Sequence, residues 1–260
     1  MRLVTLTTDW GNSDYYIGAV KAKLYSEIDG VQVVDINHRL EKFDHVSAAF
    51  IVKNTCMNFP EGSVHIIDVD TSDTEKTPNL IIEYNKQYFI CNDNGIPNLV
   101  FSDLDDYKIY IIDSLYDSEY FTFVSSSLFV SIAKKIIEKQ PLEDFTIPVD
   151  DFENKSSIPQ PICINGFLVC TVYYVDSYGN VFLNITEEEF YRVLNNRRFH
   201  LELDTEKVVK ISDSYSDVEQ NFPLITVSSS KHLQIAINKA NASQLLGLEY
   251  GTQVKIKIID

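Results

Sequence analysis

An α/β domain built on a mainly parallel sheet, followed by a smaller β-rich domain, is the architecture this sequence predicts. Three observations carry it. The first half alternates strand and helix signals, the pattern of a parallel sheet covered by helices. Between residues 140 and 161 the composition shifts to Pro141, Pro148, Pro159 and Pro161 set among acidic and Ser residues, as in a linker. Beyond it, strand signals dominate. The predicted organisation is an α/β domain over residues 1–145, a linker over 146–160 and a β domain over 161–260.

Taken in order, residues 2–8 read as an apolar strand. Residues 14–28 form a helix whose Ile17, Val20, Leu24 and Ile28 recur at three- and four-residue steps. Residues 31–36 are a short β-branched strand, and 44–56 return to helix with Ala48, Ala49, Ile51 and Val52 as the apolar face. A third strand covers 63–69 and carries Asp68 and Asp70 at its end. Residues 80–84 and 88–91 flank Asn85-Lys86-Gln87 as a hairpin. A strand at 108–112 and a helix at 127–138 complete this half. In the second half, strands are expected at 162–175, 180–185, 199–203, 208–211, 224–227 and 254–259. Thr186 followed by Glu189 is a capping-box signature for one short helix, and a second covers 240–246 and stops at Gly247.

Composition bounds the function. The 260 residues, 45% hydrophobic and 12% aromatic, support a real core, and no stretch is long enough to cross a bilayer. Met1 leads straight into a strand without a basic flank or cleavable apolar region, which predicts no export signal and a cytoplasmic protein. A net charge of −16 argues against nucleic acid, whose phosphates need clustered Lys and Arg. Cys56, Cys91, Cys163 and Cys170 form no CxxC pair and read as reduced core residues. The five histidines show no HxxxH or HxH spacing, so no metal site is expected.

The richest segment is Leu6-Thr7-Thr8-Asp9-Trp10-Gly11-Asn12-Ser13-Asp14, a strand ending in hydroxyls and a carboxylate before a turn and a helix. Open α/β sheets hold their ligands just outside such strand ends. Neither GxGxxG nor GxxxxGK[ST] is present, so the turn is not built for phosphate. Asp9 suits a ribose diol or an ammonium group, while Asp14 can equally cap its helix. Asp68 and Asp70 lie two apart, on one strand face, either as an acid–base pair or as a strand end running into solvent. Asp93-Asn94-Gly95, Asp176-Ser177-Tyr178-Gly179-Asn180 and Ser228-Ser229-Ser230 read as turns or polar loops when taken singly.

Taken together, these segments resemble the S-adenosyl-L-methionine (SAM) hydrolases that release adenosine, the SAM hydroxide adenosyltransferases, relatives of the fluorinase and chlorinase. Thr8-Asp9-Trp10-Gly11 is similar to the family's TDFG, and Asp14-Tyr15-Tyr16-Ile17-Gly18 to its DxYVG. Val34-Asp35-Ile36-Asn37-His38 resembles VDITH, Phe59-Pro60-Glu61-Gly62-Ser63-Val64-His65 resembles FPxGTVH, and Asp93-Asn94-Gly95 resembles PDNG. Asp176 to Asn180 with Asn184 is similar to DxFGNxxTN, residues 233–238 to LEIAVN and residues 241–248 to GNAAxxLGL. The resemblance spans nearly the whole chain. It implies a Rossmann-like N-terminal domain, a C-terminal β-barrel and a homotrimer that binds SAM between subunits, with no cofactor, SAM being substrate or ligand. By position, Asp9 is implied at the ribose hydroxyls, and Asp14 and Asp176 at the methionine ammonium. Tyr178 and Asn180 are implied at the adenine, Ser229 at the methionine carboxylate and Phe43 at the sugar.

The family reaction is attack of water or hydroxide on the ribose C5′ with loss of methionine. The resemblance assigns activation of that water to an Asp, an Arg and a His. The Asp corresponds to Asp70; the Arg falls near Lys76-Thr77-Pro78; and Val124, in Thr122-Phe123-Val124-Ser125-Ser126-Ser127, stands in the His slot. Two of the three groups are therefore replaced, with Lys76 and His45 the first residues to test as substitutes. Halogenation is disfavoured, because an acid at Asp70 repels a halide and the fluorinase's large loop insertion is not evident. The reading is thus a SAM hydrolase of low turnover, the alternatives being an inactive SAM or adenosine binder and a metal-dependent hydrolase using Asp9, Asp68, Asp70 and Asp73.

Overall fold

The computed structural model describes residues 2–72, 74, 76–113, 123–203 and 206–259. They form two compact units, Met1–Ser157 and Ile158–Asp260.

The first unit begins with the predicted alternation: β1 (Leu3–Thr8), α1 (Tyr16–Glu27), β2 (Gln32–Asn37), α2 (His45–Thr55) and β3 (Val64–Asp68). Then come β4 (Asn79–Tyr84), β5 (Gln87–Asn92), α3 (Ile96–Phe101), β6 (Lys108–Ile112), α4 (Val130–Ile137) and β7 (Thr146–Val149). The sheet order is β2-β1-β3-β5-β4-β6-β7. Its first four strands are parallel, and β4, β6 and β7 continue it antiparallel. The reversal follows from the β4–β5 hairpin, whose connection is only Asn85 and Lys86, at φ 49° and 58°. Two left-handed residues suit the twist of the flanking strands. Alternation along β1 sends Val4 and Leu6 into a core with Val20, Leu24, Val64, Ile66 and Phe129.

The chain runs from β1 outward to β2 and returns to β3 on the other side of β1. The carboxyl ends of β1 and β3 therefore frame a switch point, where a crevice opens between adjacent loops. Thr8 pairs with Asp68 in this ladder, so the turns carrying Asp9 and Asp70 start side by side.

Several expectations need correction. Asp14 does not cap α1; the cap position is Tyr15, with no side-chain hydrogen bond. Part of the expected linker is β7, which pairs with β6 as the edge strand, a place that tolerates Pro148. The expected helix at 127–138 begins earlier, as a π-helical turn at Ser125–Phe129. Helix α3 was unforeseen because its six residues are too few to display a helical period.

The second unit contains β8 (Ile162–Ile164), β9 (Phe167–Val175), β10 (Val181–Thr186), α5 (Glu187–Leu194), β11 (Arg198–Leu203) and β12 (Glu206–Val208). It continues with β13 (Ile211–Ser212), β14 (Pro223–Val227), β15 (His232–Ile237), α6 (Ala242–Leu246) and β16 (Gln253–Ile259). Its main path is β12-β11-β16-β9-β10-β15-β14-β13, and β12 returns beside β14, so the sheet curls into a nearly closed barrel. Asn165 and Gly166, both at positive φ, split the expected strand 162–175 and fold β8 back on β9. Cys163 lies on this short edge strand and is exposed, contrary to the core reading; Cys56, Cys91 and Cys170 are buried. Thr186 and Glu189 form the predicted capping box on α5.

Gly179, at φ 82°, closes the turn between β9 and β10, and a Cβ there would overlap the Asn241 side chain that caps α6. The left-handed backbone alone costs a non-glycine residue about 1–2 kcal/mol. Gly179→Ala is expected to lose at least that much stability in urea unfolding; an unchanged midpoint would contradict the close approach.

Candidate functional site

At the switch point of the first unit, a cleft of about 220 Å³ opens among the loops that follow β1 and β3 and the segment before α2. Three carboxylates line it: Asp9, Asp68 and Asp70. Trp10, Tyr16, Phe43 and Phe123 supply aromatic surface, and Thr71 and Val124 complete the wall. No Lys, Arg or His lines the cleft among the described residues.

Each acid is held differently. Asp9 Oδ2 accepts the Phe43 backbone N–H at 3.1 Å. That bond fixes Phe43 at φ 67°, an uncommon conformation for an aromatic residue, with its ring largely exposed. Asp70 sits in the turn after β3, at φ 49°. Asn94 Nδ2 donates to the carbonyls of Val69 and Asp70 at 2.8 and 3.1 Å, which gives the Asp93-Asn94-Gly95 turn a supporting role. Asp70 Oδ2 lies 2.8 Å from His45 Nε2, at the first residue of α2.

Asp68 is buried rather than solvent-facing, correcting the strand-end reading. Burial pushes its carboxyl up to about 6; the Ser125 hydroxyl that donates to it offsets part of the shift, and the charge of Asp9 adds to it. The π-helical turn brings Ser125 to that position.

Trp10, Tyr16 and Phe123 pack as one cluster. Trp10 and Phe123 meet edge-on at 5.2 Å between centroids, as do Tyr16 and Phe123 at 5.0 Å. Behind the β1 tip, Lys21 Nζ, Asp35, His38 and Thr8 Oγ1 form a chain with steps of 2.6, 3.1 and 2.8 Å. The same His38 accepts the Gly11 N–H through its carbonyl at 2.7 Å, which anchors the Asp9 turn.

The structure thus gathers Asp9, Phe43 and Asp70 into one cleft. Asp14 lies instead in a neighbouring hollow with Asn12, Asp35, His38 and Arg39. Lys76 does not line the cleft; its carbonyl accepts from Asn154 Nδ2 at 2.7 Å. Val124, the residue that the resemblance sets against the family His, lines it as an apolar group. Thr122 and Asp73 lie outside the described residues. Among the described residues, no three His, Cys, Asp or Glu side chains gather closely enough to hold a metal ion.

In the second unit, Asp176 organises its own turn. Its Oδ1 accepts the N–H groups of Tyr178 and Asn180, both at 2.9 Å, and its Oδ2 accepts Asn180 Nδ2 at 2.9 Å. Asn180 is buried and the Tyr178 ring points into solvent. Ser229 is exposed in the turn between β14 and β15. Tyr215, unforeseen, lies near Asp176: burial and then that carboxylate raise its phenol, which donates to Gln234 Oε1 at 3.0 Å.

Sequence reasoning also missed Trp10, Tyr16 and Phe123 as lining residues and Asp68 as a buried acid. Trp10 had a usable signal, since it is the chain's one tryptophan and directly follows Asp9.

Comparison with known proteins matches this architecture to one family. The profile of the SAM hydroxide adenosyltransferase N-terminal domain fits residues 4–146, and that of the C-terminal domain fits residues 170–255. A protein of Methanocaldococcus jannaschii named (R)-S-adenosyl-L-methionine hydrolase is 23% identical, over 98% of this chain and 95% of the relative. A protein of that name from Thermus thermophilus is 22% identical, over 98% and 100%. A crystal structure of an uncharacterized conserved protein from Thermotoga maritima shares the fold, with a TM-score of 0.86 and 24% identity over 98% of this chain and 99% of that one.

The elevated Asp68 carboxyl makes stability depend on pH. The folded state retains this proton above the ordinary carboxyl range, so the stabilisation is full at low pH and is lost as pH rises through about 6. Asp68→Asn removes the buried charge. It is expected to be more stable than the parent above pH 6, by roughly 3 kcal/mol at most, with the gap closing near pH 4. Denaturant titrations at pH 4 and 7.5 check this; a gap that does not change with pH argues against it.

Proposed function

This chain belongs to the SAM hydroxide adenosyltransferase family, and we propose that it hydrolyses S-adenosyl-L-methionine to adenosine and methionine, slowly for its family. The observation that carries the reading is the meeting of Asp9 and Asp70, from separate loops, in one aromatic-walled cleft without a lining cation among the described residues. Such a cleft favours a cationic ligand with a flat, polar-edged group. A sulfonium nucleoside has both. Asp9, with one oxygen bonded to Phe43 N, has the other available for the ribose hydroxyls. Asp70 faces the water that attacks C5′. The new bond joins that water's oxygen to C5′, and the C5′–S electron pair stays on sulfur, so methionine leaves neutral. The surplus proton passes to the Asp70 carboxylate and from there to solvent.

The curated relatives carry the (R) sulfonium configuration in their names, and we extend that epimer to this chain as the substrate to test first. Two replaced groups support the low rate. General acid–base assistance contributes roughly 10²- to 10⁴-fold, and Val124 supplies none. We further propose a cytoplasmic homotrimer, the assembly in which Asp14, Asp176, Tyr178, Asn180 and Ser229 would serve the same ligand. A stable monomer in light scattering would remove that part of the proposal.

Chromatography of SAM incubations is expected to show adenosine and methionine in equal amounts, at a rate well below the roughly 10 s⁻¹ of an ordinary enzyme. Asp70→Ala should abolish the turnover. Asp9→Ala should weaken adenosine binding by at least tenfold in calorimetry. Neither product from either epimer, with adenosine still bound, would turn the reading toward a non-catalytic binder.

A further inference from the structure

Among the described residues, Asp70 is the one cleft acid whose carboxylate is held by an imidazole. Its Oδ2 lies 2.8 Å from His45 Nε2. An ionised carboxylate only accepts hydrogen bonds, so the nitrogen facing it carries the proton. Oδ1 has no protein donor among the described residues, and Asp70 itself lines the cleft. His45 stands behind the acid, outside the lining, with about a quarter of its side chain exposed.

The backbone that carries the imidazole is anchored. His45 opens α2, whose cap residue Asp44 accepts the Ser47 N–H at 3.0 Å. Phe43, two residues earlier, is bonded to Asp9. On the other side, Asn94 holds the carbonyls of Val69 and Asp70. Backbone and side chain of Asp70 are thus restrained from two directions. A carboxylate free to rotate presents either oxygen in many directions; one pinned through Oδ2 presents Oδ1 in one.

We infer that His45 is a positioning residue for water activation, donating through Nε2 to Asp70 so that Oδ1 is aimed at the attacking water. This rests on the hydrolase reading given above. It supplies, from a different element, part of what the replaced Arg and His leave undone. The donor need not enter the cleft or exchange a proton with the substrate.

Geometric errors of about an ångström at a reacting group cost on the order of 100-fold in rate. His45→Ala is therefore expected to lower kcat by roughly 10- to 100-fold, with KM for SAM and the adenosine Kd within about twofold of the parent. His45→Gln, whose amide N–H can reach the same oxygen, should recover part of the loss. In an Asp70→Asn background, His45→Ala should cost nothing further, because the two act as one unit. Imidazole ¹⁵N spectra supply a readout independent of turnover: His45 should be the Nε2–H tautomer, and its Nε2 signal should move in Asp70→Asn. An unaltered kcat in a folded His45→Ala, a change confined to KM, or an Nδ1–H tautomer overturns the inference. A parent protein that makes no adenosine, yet shows the Nε2–H tautomer coupled to Asp70, refutes the hydrolase reading and leaves the His45–Asp70 pairing intact.

Discussion

Three consecutive residues at the entry to α2 hold the cleft in shape. Phe43 donates its backbone N–H to Asp9, Asp44 caps the helix, and His45 meets Asp70. The two acids belong to loops after β1 and β3, which the sheet sets side by side but cannot orient. A carboxylate at a strand end has several rotamers of similar energy, so a sheet places its Cα and leaves its oxygens undetermined. The short segment before α2 removes that freedom at both acids. Because a capped helix is the most rigid part of that segment, the orientation is anchored in the core by Ala48, Ala49 and Val52, all buried on α2. The positive φ of Phe43 is where this arrangement stores its strain.

Three carboxylates around one small cleft repel one another, and their surroundings decide how each bears it. Burial pushes the Asp68 carboxyl up, with Asp9 adding to the effect. Asp9 and Asp70 are compensated through hydrogen bonds, from a backbone N–H and an imidazole. None has a lysine or arginine beside it in the lining among the described residues, although Lys21, Arg39 and Lys76 occur on nearby segments. Lys21 is instead bound to Asp35 at 2.6 Å, in the chain that supports the Asp9 turn through His38. The local field of the cleft is consequently negative, and a ligand carrying positive charge relieves it.

The sequence disclosed what depends on neighbours along the chain. Strand β6, the β4–β5 hairpin and the capping box of α5 rest on local alternation, a tight turn and a Thr/Glu pair, and each stands where those signals put it. What failed depended on contacts between distant residues. Thr146–Val149 resembles linker until β6 offers it a partner, and Pro148 then survives because the strand is an edge. Asp68 carries no mark of burial; the turn at Ser125, 57 residues later, is part of what covers it. Asp9 was legible because it directly follows an apolar strand; Asp70, in the turn after β3, was singled out by the resemblance and not by its spacing. The meeting of His45 and Asp70, across 25 residues, was not, since spacing alone cannot say that α2 starts beside the loop after β3. Cys163 failed for a related reason: an apolar run can be a short exposed edge as readily as a core strand.

In the proposed reaction, the movement of charge reconciles catalysis with the two replacements that the resemblance implies. Neutral water attacks a sulfonium, so positive charge leaves sulfur and appears on the incoming oxygen; the total is unchanged. An acid near sulfur favours the ground state and gains nothing in the transition state. An acid beside the attacking oxygen meets a charge that grows along the reaction, and only interactions that strengthen in this way raise kcat. A carboxylate in that position does not have to be a strong base. It has to be ionised, close and correctly aimed before the charge develops, because a dipole or charge already in place costs no reorganisation. Aim is what the imidazole at the start of α2 can supply from outside the cleft. Under that proposal an apolar Val124 would limit the rate without abolishing the chemistry, since the term that survives is the one that follows the moving charge.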